Sequence, residues 1–131
     1  MVKKILFPKT TIFLKGLGDS MWPFLKSGTF VIVDTCKNIQ LTVGDIVAIS
    51  LVKKNQTPFL HRVIEINKNI VRTKGDGEIL DDGWTQKSDI MGKAIYFIHH
   101  ERFISLQTPK AHLMNRLLAY ISYHTIKNKL L

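Results

Sequence analysis

Short runs of β-branched residues, each entered through a turn signal, limit what this chain can fold into. Phe30-Val31-Ile32-Val33 follows Ser27-Gly28, and Ile46 to Val52 follows Gly44-Asp45. Phe59 to Ile66, Asn67-Lys68-Asn69 and Ile70 to Thr73 read as a hairpin with an Asn-rich turn. Thr10 to Leu17, with Ile12 and Leu14 alternating against Thr11 and Phe13, reads as a strand, and so does Ile90 to Ile98 through Gly92. Strands this short at this spacing predict a mainly β chain, built as a coiled sheet or barrel. At 131 residues, 45% of them apolar, the chain has the size and core-forming capacity of one domain.

The pattern changes at Pro109. Leu113, Met114, Leu117, Leu118, Ile121 and Ile126 recur at three- and four-residue steps. This period predicts a basic amphipathic helix over 109–131, appended to a β-rich domain over 1–108. Two placements suit its apolar face. It could cap the open end of the barrel, or lie on an anionic membrane with Lys110, Arg116, Lys127 and Lys129 on its polar side.

The net charge of +9 sits at the two ends. Residues 1–18 hold four lysines and no acid, residues 102–131 hold five basic residues and no acid, and residues 19–101 hold ten of each sign. A neutral centre between basic ends predicts tails that touch an anionic membrane surface, with no nucleic-acid partner. No uninterrupted apolar stretch approaches the roughly 18–20 residues of a spanning helix. Residues 1–15, with Lys3, Lys4, Lys9 and Lys15 around Pro8, contain no signal-peptide apolar region. The expectation is a cytoplasmic protein, peripheral at the membrane. The single cysteine, Cys36, excludes an internal disulfide framework and a zinc site of paired Cys-x-x-Cys motifs, and is expected to be structural or exposed.

Chemistry concentrates in three places. In Gly16-Leu17-Gly18-Asp19-Ser20-Met21-Trp22-Pro23, two glycines and an aspartate allow a tight path that holds the Ser20 hydroxyl exposed, with its N–H available to an oxyanion. A serine hydroxyl needs a base. Of five histidines, His61 is the candidate, since a polar ring inside Phe59-Leu60-His61-Arg62-Val63-Ile64 requires a reason, either a core hydrogen bond or catalysis. His99 and His100 are expected on opposite strand faces, and His112 and His124 on the helix surface. No histidine spacing suits a metal, so neither metal nor other cofactor is expected. The third place is Lys74-Gly75-Asp76-Gly77-Glu78-Ile79-Leu80-Asp81-Asp82-Gly83, which reads either as a solvated turn or as the source of an aspartate that fixes the His61 tautomer. Trp22 and Trp84 are expected to pack, with the substrate cleft or lipid as other roles.

In this order the pieces resemble the type I signal peptidase superfamily, in particular its archaeal and endoplasmic-reticulum branch. Gly18-Asp19-Ser20-Met21-Trp22-Pro23, Gly44-Asp45-Ile46-Val47, His61-Arg62-Val63-Ile64, Thr73-Lys74-Gly75-Asp76, Asp81-Asp82 and Gly92-Lys93-Ala94 carry the resemblance, from about Gly16 to Phe97. It implies a coiled β-barrel that binds a peptide or preprotein as an added strand. It also implies a serine endopeptidase with Ser20 as nucleophile and His61 as base, Asp82 orienting His61 and Asp76 supporting the site. The sequence departs from the family in three respects: it has no N-terminal membrane helix, Gly18 stands where many members have a serine, and Gly77 stands where asparagine is common. A non-catalytic peptide-binding module of the same fold and a self-cleaving repressor-type domain are the alternatives. The repressor type uses lysine where this chain has His61.

Overall fold

A computed structural model describes residues 10–16, 20–22, 24–50 and 58–129. Leu17, Gly18, Asp19, Pro23 and Val52, and the lysines at positions 3, 4 and 9, lie outside the described residues. The chain is mainly β, as its short apolar runs predict. Eight antiparallel strands form one sheet: β1 (Thr11–Lys15), β2 (Phe30–Asp34), β3 (Ile46–Ile49), β4 (Phe59–Asn67), β5 (Ile70–Lys74), β6 (Trp84–Gln86), β7 (Ile90–His99) and β8 (Arg102–Ser105). One helix follows, α1 (Pro109–Lys129). Two strands, β6 and β8, are absent from the sequence reading; at three and four residues they are too short to display alternation.

The strand order is β1-β2-β7-β3-β4-β5-β6, with β8 on β7. The ten-residue β7 is the spine. One of its edges pairs with β2, and the other is shared in succession by β3, through Lys93, Gly92 and Ile90, and by β8, from Tyr96 to His99. The expected barrel is not closed: among the described residues β1 and β6 end the order at opposite sides. Burial is achieved instead by covering both faces of the central strands. Ile46 and Ala48 of β3 join one cluster with Val31, Val33 and Phe97, while Val47 and Ile49 join a second with Val63 and Val71. All four β3 residues are therefore apolar and buried, which is why that segment reads as a continuous run.

The register of β3 and β4 pairs Val47 with His61 and Ile46 with Arg62. Successive strand residues point to opposite faces, so β4 presents His61 beside the second cluster and Arg62 on the other side. Helix α1 lies against that other side. Thr108 caps it, its hydroxyl accepting the Ala111 N–H at 3.1 Å, and Pro109 fills the first turn where no amide donor is needed. The helix does not cap a barrel end with its apolar stripe. Among its described side chains the buried ones are Asn115, Ala119 and Ser122, and the backbone at Asn115 comes so near the turn before β3 that a Cβ at Gly44 would stand 2.8 Å from the Arg116 nitrogen. A glycine at position 44, at φ +105°, permits that approach.

No helix among the described residues is long and apolar enough to cross a membrane. Both tryptophans are exposed rather than packed, Trp22 in a turn and Trp84 on the outermost strand β6. His99 and His100 do not diverge. His100 enters the left-handed region at φ 47° in the β7–β8 turn, and the two rings meet at 4.1 Å. His112 is exposed and His124 is half-buried against the Tyr120 ring. Cys36 is exposed.

Candidate active site

His61 is almost wholly buried, its ring meeting the Phe59 ring at 4.8 Å. Its Nδ1 lies 2.5 Å from Oδ2 of Asp82. Two further contacts fix that carboxylate: the Asp82 N–H donates to the Thr73 carbonyl at 2.9 Å, and the Thr73 hydroxyl donates to Oδ2 at 2.7 Å. Thr73 is fully buried on β5, opposite Val63, and so shares the His61 face of the sheet. With Nδ1 as donor to this carboxylate, a neutral ring carries its lone pair on Nε2. Of the aspartates in the 76–82 segment, Asp82 meets the histidine.

The other ring nitrogen faces the loop that leaves β5. A Cβ built on Gly75 would stand 3.1 Å from His61 Nε2 and would collide with the Ser20 carbonyl oxygen, so the imidazole and the Ser20 main chain converge on this one glycine. The same loop holds residues 20 and 21 in place. The Gly77 N–H donates to the Ser20 carbonyl at 2.8 Å, and the Asp76 N–H points at the sulfur of buried Met21 at 3.4 Å. The Gly77 contact uses backbone alone, so it requires no asparagine side chain at that position.

Asp76 does not reach His61. Its carboxylate accepts two hydrogen bonds from Arg62, from Nε at 2.8 Å and from Nη2 at 2.7 Å, on the opposite face of β4. Arg62 is fully buried and spends its remaining donors on the Gly44 carbonyl at 2.9 Å and Asn115 Oδ1 at 3.0 Å. This pair joins the site loop, β3, β4 and α1 at a single guanidinium.

The sequence reading overlooked four side chains here: Thr73, Arg62, Glu78 and Lys74. Thr73 and Arg62 were detectable in principle, since a hydroxyl and a guanidinium inside strands need buried partners. Glu78 lies 3.8 Å from His61 Nε2, and its separation of 17 positions from His61 gives no local signal. Lys74 is buried and donates to the Gly75 carbonyl at 3.0 Å. His61, Glu78 and Asp82 present ligand atoms within 4.8 Å of one another.

Beside Ser20 opens a cleft of about 480 Å³ between β1 and the start of β4. Leu14, Met21, Leu25 and Phe59 give it apolar walls, and Lys15 and Lys26 are its cations. Nearby, Asp81 forms a separate contact with Arg72, at 2.5 Å to Nη2, and accepts the Gly83 N–H at 2.6 Å.

No family model matches this chain, and no curated protein does.

Proposed function

We propose that the chain is a serine endopeptidase that cleaves signal or leader peptides through an acyl-enzyme. One observation carries this reading: Asp82, held by Thr73, contacts His61 Nδ1, while Nε2 of the same ring faces the loop that binds Ser20. In this scheme Ser20 Oγ attacks the scissile carbonyl carbon while His61 Nε2 takes the hydroxyl proton. The imidazolium so formed is stabilised by Asp82. It returns the proton to the departing amine as the C–N bond breaks, and water, deprotonated by the same ring, hydrolyses the ester. The oxyanion lies against the Ser20 N–H and a neighbouring amide. The peptide occupies the cleft beside β1 as an extended strand, its apolar side chains against Leu14, Met21 and Phe59.

The test is cleavage of signal- and leader-peptide libraries by the purified chain, together with labelling by a fluorophosphonate. Ser20→Ala and His61→Ala should each remove cleavage, by roughly 10⁵–10⁶-fold, without unfolding the chain. Ser20→Ala should also abolish labelling. Activity should fall as the medium is acidified, because a protonated imidazole cannot accept the serine proton. Full activity in either variant, or labelling that persists without the Ser20 hydroxyl, would overturn the proposal.

A further inference from the structure

The helix α1 is mounted the wrong way round for an ordinary surface helix. Five of its large side chains, Leu113, Met114, Leu117, Tyr120 and Ile121, face outward, with Leu113 70% and Leu117 58% exposed. Its buried contacts with the sheet are small or polar, Asn115 bound to Arg62 and Ala119 packed on Ile64, with half-buried Tyr123 beside them. An apolar stripe normally faces the core. Here the stripe faces solvent because a buried arginine and a close backbone approach at Gly44 require the opposite face. The patch continues onto the sheet, where exposed Ile104 of β8 and Met114 line one groove of about 360 Å³ with Lys110.

Exposed apolar groups scattered singly need no explanation, but a contiguous patch does. Its electrostatic setting selects the occupant. Lys110 and Arg116 are exposed on the same helix, Arg102 is exposed at the start of β8, and residues 102–131 contain no acid. A second copy would bring the same positive charge against this face. An anionic lipid surface would bring the opposite charge, together with an apolar interior for the side chains. We propose that the outward face of α1, with Ile104, docks on anionic bilayers, the helix lying in the interface plane.

The experiment uses the full chain and vesicles of phosphatidylcholine alone or with about one-third phosphatidylglycerol, followed by flotation at low and high salt. Binding should be at least about tenfold tighter to the anionic vesicles and should weaken with salt. Removing charge with Lys110→Gln or Arg116→Gln should cost about fivefold each. Leu113→Glu with Leu117→Glu should abolish binding; both positions are solvent-facing, so the thermal midpoint and the cleavage of a soluble peptide should not change. Ser20→Ala should bind like the unaltered chain, which separates this proposal from the peptidase reading. Failure to float with anionic vesicles at low salt, or undiminished binding by the double variant, would overturn it. So would a dimer in sedimentation analysis that the double variant dissociates, since the patch would then belong to a second copy.

Discussion

Thr73 Oγ1 donates to the same oxygen, Oδ2 of Asp82, that lies against His61 Nδ1. A carboxylate held by a strand hydroxyl cannot rotate away from the imidazole without leaving a buried donor unpaired. Asp82→Asn should therefore reduce kcat by on the order of 10³–10⁴-fold, because the ring loses both its tautomer preference and its counter-charge. Thr73→Val should reduce kcat by about tenfold with KM little changed, a split expected of a positioning residue. Steady-state kinetics on a soluble peptide checks both. Equal kcat in Asp82→Asn and the unaltered chain would remove Asp82 from the mechanism.

Asp76 should behave in the opposite way. Its bidentate partner Arg62 is fully buried, so Asp76→Asn leaves a guanidinium without its charge partner in the interior. Breaking one side of such a pair costs about 3–5 kcal/mol. Denaturant unfolding should detect that loss, and activity should survive wherever the variant is still folded. Asp82 and Asp76 then separate experimentally, one by rate and the other by stability.

How far the sequence discloses this architecture depends on the range of each signal. Short β-branched and apolar runs behind turn signals locate β1 to β5 and β7, and Pro109 with the period after it locates α1, because those signals are local. Which face of α1 turns inward is not local. It depends on Arg62, more than fifty positions away, binding the Asn115 side-chain amide oxygen, and that demand turns the apolar stripe away from the sheet. The pairing of His61 with Asp82 rather than Asp76 is likewise decided by strand register: Thr73 lies opposite Val63 and so shares the face of His61, whereas Arg62 points away and captures Asp76.

Asp81 gives the acid limb of stability. Burial acts to raise its pKa, but the hydrogen bonds from Arg72 and from the Gly83 N–H outweigh burial and hold the carboxyl below its ordinary value. A carboxylate held lower in the folded chain than in the unfolded one contributes stability that is complete above the unfolded value of about 4 and is lost as the pH falls through the folded value. Asp81→Asn should thus be less stable than the unaltered chain at neutral pH, and the gap should close as the pH drops below about 4. Because the Arg72 contact is partly open to solvent, high salt should also narrow the gap. Thermal unfolding as a function of pH reads both effects.

Gly75 is the residue at which the site admits least change. An alanine methyl there would drive into the Ser20 carbonyl oxygen, a main-chain atom pinned by the Gly77 N–H, and would crowd Nε2 of the ring that must receive the serine proton. Relief requires moving residue 20 away from His61, and a displacement of about 1 Å at reacting groups is worth roughly 10²-fold in rate. Gly75→Ala should lose at least that much in kcat while its secondary structure stays intact by circular dichroism. Gly28→Ala supplies the contrast. Gly28 has a positive φ, at 91°, but a Cβ there meets nothing within 4 Å, so alanine should cost only backbone strain of about 1–2 kcal/mol and leave kcat unchanged. If Gly75→Ala is as active as Gly28→Ala, the convergence of Ser20 and His61 on that glycine has no part in catalysis.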